Sequence, residues 1–277
     1  MKPSEHAELA LLLEVASTPK PGNVDRHREY PSLRFEHFLA GAVGARDGLA
    51  ALAAPDEAFG AAFERAIAGM SCQSGGNTQF GAILLLAPLL RGAARANDPV
   101  AAAEEVVNET TVEDAVRFYA AFDHVDVAVR EPPDDTAVPD VRRGSDAAAE
   151  LIDNELSLSD IMRASADRDG VAAEWISGFP RTKRVANRIT AGTGSVTDRA
   201  ASAYLEELAV EPDTFVVTQH DATTAHEVCE RAAAVLDGKS DVDAFADDLV
   251  TRGINPGTTA DITAGGLFCA LEAGLMI

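Results

Sequence analysis

The chain has 277 residues, with 45 Asp or Glu against 23 Lys or Arg, and a formal charge of −22. An acid excess this large leaves no clustered cations to grip a phosphate backbone, which argues against nucleic-acid binding. Apolar residues make up 47% and aromatics only 5%, so a sizeable core is available and close-packed helices are favoured over a strand sandwich.

The predicted elements are helical almost throughout. A first helix over Glu5–Ser17 carries Leu9, Leu12 and Leu13 on one stripe and stops before Pro19 and Pro21. Helices follow at Arg34–Ala53 and Glu57–Cys72. After the break at Ser74-Gly75-Gly76, Asn77 is placed to cap an apolar helix through Leu90, which Pro88 should kink or end. Asp98–Val129 reads as helix broken near Thr110 and Thr111, and the proline-rich Glu131–Asp140 as a surface loop. Further helices are expected at Asp146–Leu156, Leu158–Arg168, Ala172–Ser177, Thr182–Ile189, Val196–Leu208, Asp213–Val217 and onward, Ala222–Leu236, Val242–Arg252 and Thr259–Ala273. Only Phe215–Val217 could pass for a strand. The expectation is one all-α domain, a multi-helix bundle over residues 1–277.

The longest apolar run, Ile83–Leu90, is too short to span a bilayer. The N-terminus lacks the pattern of a signal peptide, so a cytoplasmic protein is expected. Cys72, Cys229 and Cys269 form no CxxC pair, which fits reduced thiols; Cys72 and Cys269 read as small core residues. The charge predicts a protein adapted to a salt-rich cytoplasm, a halophilic trait.

Five segments carry chemistry. In Thr18-Pro19-Lys20-Pro21-Gly22-Asn23-Val24-Asp25-Arg26-His27, a rigid loop gathers cations suited to polyphosphate and a carboxylate suited to magnesium. Gly75-Gly76-Asn77-Thr78-Gln79-Phe80-Gly81 offers close backbone approach and free N–H groups, without the Lys of a Walker A loop. Asp169–Pro180 places Glu174 beside the only Trp. Asp213-Thr214 leads to His220-Asp221 and His226, an arrangement comparable with HD-type phosphohydrolases but with histidines six apart, off one helical face. Asn255-Pro256-Gly257-Thr258-Thr259-Ala260-Asp261 reads as a turn, a cap and a first-turn Asp. A solvated connection is the bland alternative for the first segment, but it needs neither two prolines nor this density of polar groups; ordinary caps explain the second and fifth when each is taken alone.

In order and spacing, Thr-Pro-Lys-Pro-Gly-x-Val-Asp at 18–25, Gly-x-Asn-Thr-x-x-Gly at 75–81, Gly-x-x-x-Glu-x-x-x-Gly-Phe-Pro at 170–180, Asp-Thr at 213–214 and Pro-Gly-x-x-Ala-Asp at 256–261 resemble the triphosphoribosyl-dephospho-CoA synthase family. The resemblance is to a divergent, archaeal-like member. It implies an all-α fold and attack of the 2′-hydroxyl of 3′-dephospho-CoA on C1 of the ribose of ATP, releasing adenine and keeping the triphosphate. It further implies Mg2+, with ATP as substrate, and leaves room for a homodimer.

On the family's pattern Glu174, Asp25 and Asp213 are the catalytic candidates, with Glu174 as base. Lys20, Gly22, Arg26, Gly76, Asn77, Thr78 and Gly257 would hold the nucleotide, and Asp25, Asp213 and Asp261 would face the metal. The chain departs from the pattern at Gln79, where the family has His, at 171–173, and at 215–221, which leaves the acceptor open. A metal-dependent hydrolase of a nucleotide or ADP-ribosyl bond, and a silent nucleotide-binding module, stand as alternatives.

Overall fold

Capping residues and prolines set the helix boundaries in the computed structural model, which describes residues 1–96, 98–133 and 136–277. Helices α1 (Pro3–Ala16), α2 (Phe35–Leu52) and α3 (Phe59–Met70) lie within two residues of the boundaries expected. At the α2–α3 contact a Cβ on Gly44 would stand 2.2 Å from Gly69 O and one on Gly48 2.2 Å from Ala66 N, so small residues set a close approach.

Helix α4 (Phe80–Ala93) runs through Pro88 rather than ending there. A proline leaves the carbonyl four residues back without its helical donor. That carbonyl, Leu84 O, instead accepts from Trp175 Nε1 at 3.1 Å. Burial on nearly every face holds the rest of α4 in place.

The break at Thr110-Thr111 separates α5 (Pro99–Glu109) from α6 (Val112–Ala120), and Thr111 and Asp114 cap each other's backbone. The helix expected to reach Val129 stops earlier, in a 3-10 turn at Ala121–His124. Beyond it, β-branched Val125, Val127 and Val129 alternate with polar or small residues, a pattern suited to extended chain. Residues 136–140 also lack regular structure, while Asp134 and Asp135 of the expected loop lie outside the described residues. A 3-10 segment at Val141–Ala147 and α7 (Ala148–Asp153) replace the single helix expected there.

Next come α8 (Leu158–Ser165), α9 (Gly170–Ser177), α10 (Pro180–Ala191), α11 (Val196–Leu208), α12 (Thr214–Gln219), α13 (Ala222–Leu236), α14 (Val242–Thr251) and α15 (Gly257–Glu272). Residues Phe215–Val217 are helical, because Asp213 caps the start of α12 and fixes its first turn. No strand occurs among the described residues, only an isolated bridge between Tyr30 and Leu33. The fold is all-α.

Helix α15 is buried from Thr258 to Leu271 at all but one position and packs against α1, α4, α10 and α11. The main core gathers side chains of α1 to α11 with α15, and a smaller cluster draws on α11 to α15. Cys269 is buried as expected, but Cys72 is exposed just beyond the end of α3. No helix among the described residues is long and apolar enough to cross a membrane.

Candidate active site

The N-terminus of α15 is where the five segments meet. The first packs behind it: Asn23 Nδ2 donates to Asn255 Oδ1 at 2.9 Å, and the Tyr204 hydroxyl donates to Pro21 O. The third and fourth join it through hydroxyls. Gly170 N–H donates to Thr214 Oγ1 at 3.0 Å, and Thr214 Oγ1 lies 2.9 Å from Thr258 Oγ1. The second reaches it at Gly81, where a Cβ would stand 2.1 Å from Asp261 Oδ2, so only glycine leaves room for that carboxyl.

Around this junction lies a cleft of about 170 Å³. Its polar end is formed by Asn77, Arg168, Asp169, Thr214, Thr258 and Asp261, and its other end is largely apolar. The enclosed volume is smaller than a whole nucleotide, so a ligand of that size would extend over its open mouth.

Two carboxyls in the cleft stand apart electrostatically. Asp261 accepts from no other side chain and joins no ion pair among the described residues; burial, then Glu14, Asp169 and Asp213, push it well above the usual carboxylate range, with the Ala82 backbone N–H opposing. Asp169 caps α9 through one oxygen, accepting from Ala172 N–H at 2.8 Å. It opens to solvent in the cleft yet lies deep within surrounding protein, and this desolvation raises it, aided by Asp213. Both retain acceptor capacity turned to the cleft, as a reacting group requires.

The other expected residues are placed differently. Asp25 is buried; its Oδ2 accepts from Thr18 Oγ1 and Lys20 N–H, and its Oδ1 from the N–H groups of His27 and Arg28 at 2.8 and 3.0 Å. It organises the loop and does not line the cleft. Lys20, fully buried, ion-pairs with Glu14 and donates to Asn23 Oδ1 at 3.3 Å. Arg26 is exposed, and the neighbouring Arg28 is the cation that reaches Asp25, at 3.6 Å.

Glu174 is buried and accepts from the N–H groups of Arg181 and Thr182 at 3.0 and 2.8 Å, capping α10. Asp213 accepts from Phe215 and Val216 N–H on one oxygen and from both donors of Thr259, each at 2.7 Å, on the other. Burial pushes it up against those bonds.

Asn77 lines the cleft and accepts from Phe80 N–H at 3.0 Å, although α4 begins only at Phe80. Thr78 Oγ1, next to it, is buried without a partner. Gly22 and Gly76 turn their loops at φ 76° and 72°, and Gly257 opens α15 against Phe215. Asp25, Asp213 and Asp261 are not gathered at a metal position: among the described residues no group of three His, Cys, Asp or Glu is arranged to hold an ion. His220 and Asp221 do not converge with His226 either; Asp221 caps α13 and His226 Nδ1 lies 3.1 Å from Ala222 O.

Sequence reasoning missed Arg130, Arg168 and Asp169, which line the cleft. Asp169 carried a signal, since it stands immediately before the Gly170 of the third segment and is a natural helix cap. Arg130 carried none, for it reaches the cleft only because residues 125–133 leave the helix expected there.

An all-helical chain with two carboxyls that keep free acceptor capacity and two arginines at one cleft has the equipment of an enzyme acting on an anionic, nucleotide-like substrate. Residues 1–276 match the family described as ATP:dephospho-CoA triphosphoribosyl transferase, and the chain belongs to that family. It is thus an ATP-dependent transferase that moves the triphosphoribosyl group of ATP to dephospho-CoA. A crystal structure from Archaeoglobus fulgidus, of a protein assigned as a triphosphoribosyl-dephospho-CoA synthase, is similar in fold. Its TM-score is 0.70 over 86% of this chain and 100% of its own, at 22% identity. No curated protein matches the chain.

Proposed function

We propose that the transfer takes place at the polar end of the cleft, with Asp261 and Asp169 as its acid and base. The observation that carries this is the convergence of the five segments on two carboxyls that keep free acceptor capacity, while Asp25, Glu174 and Asp213 are saturated by backbone and hydroxyl donors. In the reaction the C1–N9 bond of ATP breaks and its electron pair leaves with adenine. The 2′-oxygen of dephospho-CoA bonds to C1, and its proton must be removed. A carboxyl whose proton is held more tightly by burial and like-charged neighbours suits proton donation to adenine, which is the part assigned to Asp261. Asp169, more open to solvent, is the carboxylate that accepts the hydroxyl proton and faces the positive charge developing on the ribose.

Arg168 and Arg130 are assigned to the triphosphate, which is retained through the reaction. Asp25 and Asp213, with no free acceptor capacity, do not fit the metal position expected of them. An ion arriving with ATP would be held by the phosphates themselves.

We also read the chain as one cytoplasmic domain, tuned to high salt, with a homodimer open to test. The decisive experiment supplies Mg-ATP in high potassium chloride, with and without 3′-dephospho-CoA, and follows adenine by chromatography and mass spectrometry. Adenine appearing only with the acceptor, together with the adduct, is the expected result. Release without an acceptor would favour hydrolysis.

A further inference from the structure

Ribose and phosphates account for one end of the cleft only. The other end is lined by Phe80, Phe118 and Phe122, with Val127, Val138 and Met162 around them. These rings belong to one cluster: Phe80 and Phe122 have centroids 4.8 Å apart, and Phe118 meets Phe122 edge-on at 5.3 Å and 85°. Phe80 and Phe118 are buried, whereas Phe122 is half-buried and keeps surface towards the cleft.

The non-helical segment after the Ala121–His124 turn forms another wall. Val127, Ala128 and Val129 line the cleft, and their backbone N–H and C=O groups make no backbone hydrogen bond among the described residues. Such an edge offers a donor and an acceptor side by side. The position is also fixed relative to the chemistry, because Phe80 opens α4 and the next residue, Gly81, abuts Asp261.

We propose that this aromatic end is the subsite for the adenine base of ATP, stacked on Phe122 and read along its edge by the backbone of residues 127–129. The inference rests on the reading of Asp261 as the group facing the leaving base. Adenine is bonded directly to the reacting carbon, so it must lie beside the residue that protonates it. The acceptor's own base and its long arm are separated from its reacting hydroxyl by further bonds and lie farther off. An aromatic wall suits a planar heterocycle, because stacking tolerates a neutral base and needs no counter-charge. Adenine presents an N6 donor beside a ring-nitrogen acceptor, which matches backbone groups that make no backbone hydrogen bond among the described residues.

Equilibrium dialysis with labelled adenine tests the subsite, alongside initial-rate KM values for ATP and for 3′-dephospho-CoA. Phe122→Ala is expected to weaken adenine binding and raise the KM for ATP by about 5- to 150-fold, the range for loss of one stacked base. The KM for dephospho-CoA should stay within about twofold. Phe122→Tyr should retain adenine binding, and Phe122→Leu, which keeps apolar volume without a ring, should lose it while the helical circular dichroism is unchanged. A raised KM for dephospho-CoA with adenine binding intact would assign this end to the acceptor and overturn the proposal. Unchanged binding in both Phe122→Ala and Phe122→Leu would overturn it as well. Failure of the catalytic reading is seen separately: Asp261→Asn would then turn over normally, while the Phe122 variants still lose adenine.

Discussion

Glu174 and Asp261 are both carboxyls within the five segments, yet their surroundings give them opposite roles. Glu174 spends both oxygens on the first backbone N–H groups of α10. Replacing it with Gln turns an amide N–H2 towards one of those donors. Glu174→Gln should therefore cost about 1–2 kcal/mol, as for loss of a helix cap. A lower midpoint in urea, with turnover of the folded protein within a few-fold of the parent, is the expected result. Asp261 behaves in the reverse way. Its carboxyl is raised by burial and by Glu14, Asp169 and Asp213, so its contribution to stability is present at acid pH and is lost as pH rises through the raised value. Asp261→Asn should raise Tm at neutral pH while lowering kcat by about 10²- to 10⁴-fold, the span of a lost general acid. An unchanged kcat would remove Asp261 from the chemistry. The five segments were legible from spacing, but the division of labour within them was not. Nothing in Gly-x-x-x-Glu says that the Glu folds back onto the helix after it, and Asp169 passed as an ordinary cap because its free oxygen faces a cleft made by distant residues.

Among the elements, α10 and α11 are joined by a charge hub that sequence alone gave no reason to seek. Arg181, Arg184 and Arg188 on α10 all reach the buried Glu207 on α11, at 2.8, 2.6 and 2.8 Å. Burial works to raise the Glu207 carboxyl, but the hydrogen bonds of Arg184 and Arg181 and their charges outweigh it and hold it below its ordinary range. Such a group stabilises the fold above its unfolded pKa, and that contribution is lost as pH falls through the lower folded value. Glu207→Gln leaves the arginines without their shared anion. It should cost about 3 kcal/mol, in the range for breaking one side of a buried pair, and should flatten this part of the acid limb of stability. Chemical denaturation at pH 7 and near pH 4 measures both effects. Helix positions were recovered where caps and apolar stripes are local, as at α11 and α13. Distant partners decide elsewhere: whether Pro88 would kink or end α4 stayed open, since the Leu84 carbonyl it orphans is satisfied by Trp175 from another helix, and the helix expected to Val129 was misjudged beyond His124, where regular structure ends.

For the molecule as a whole, the charge balance sets a limit that no arrangement of ion pairs can avoid. If each of the 23 cations met a different acid, 22 of the 45 acidic residues would still lack a partner (45 − 23 = 22). Added salt acts on two opposing terms. It weakens exposed pairs such as Arg46–Glu8, each worth about 0–1 kcal/mol. It also relieves repulsion among the unpartnered carboxylates, which at low ionic strength act over roughly 30 Å and at 0.1 M over about 10 Å. Buried pairs such as Glu14–Lys20 and the Glu207 hub feel little screening, so the loss is confined to weak surface contacts and the gain is spread over the whole surface. Tm should therefore rise steadily with potassium chloride at pH 7, and helicity should fall when salt is dialysed away. The measurement is thermal unfolding by circular dichroism across salt concentrations, with Glu207→Gln as a companion. The companion should start lower and rise in parallel, because the hub is shielded from the ions that stabilise the surface. A Tm indifferent to salt would mean that the excess charge is spaced widely enough not to matter, and the reading of a salt-adapted protein would fall with it.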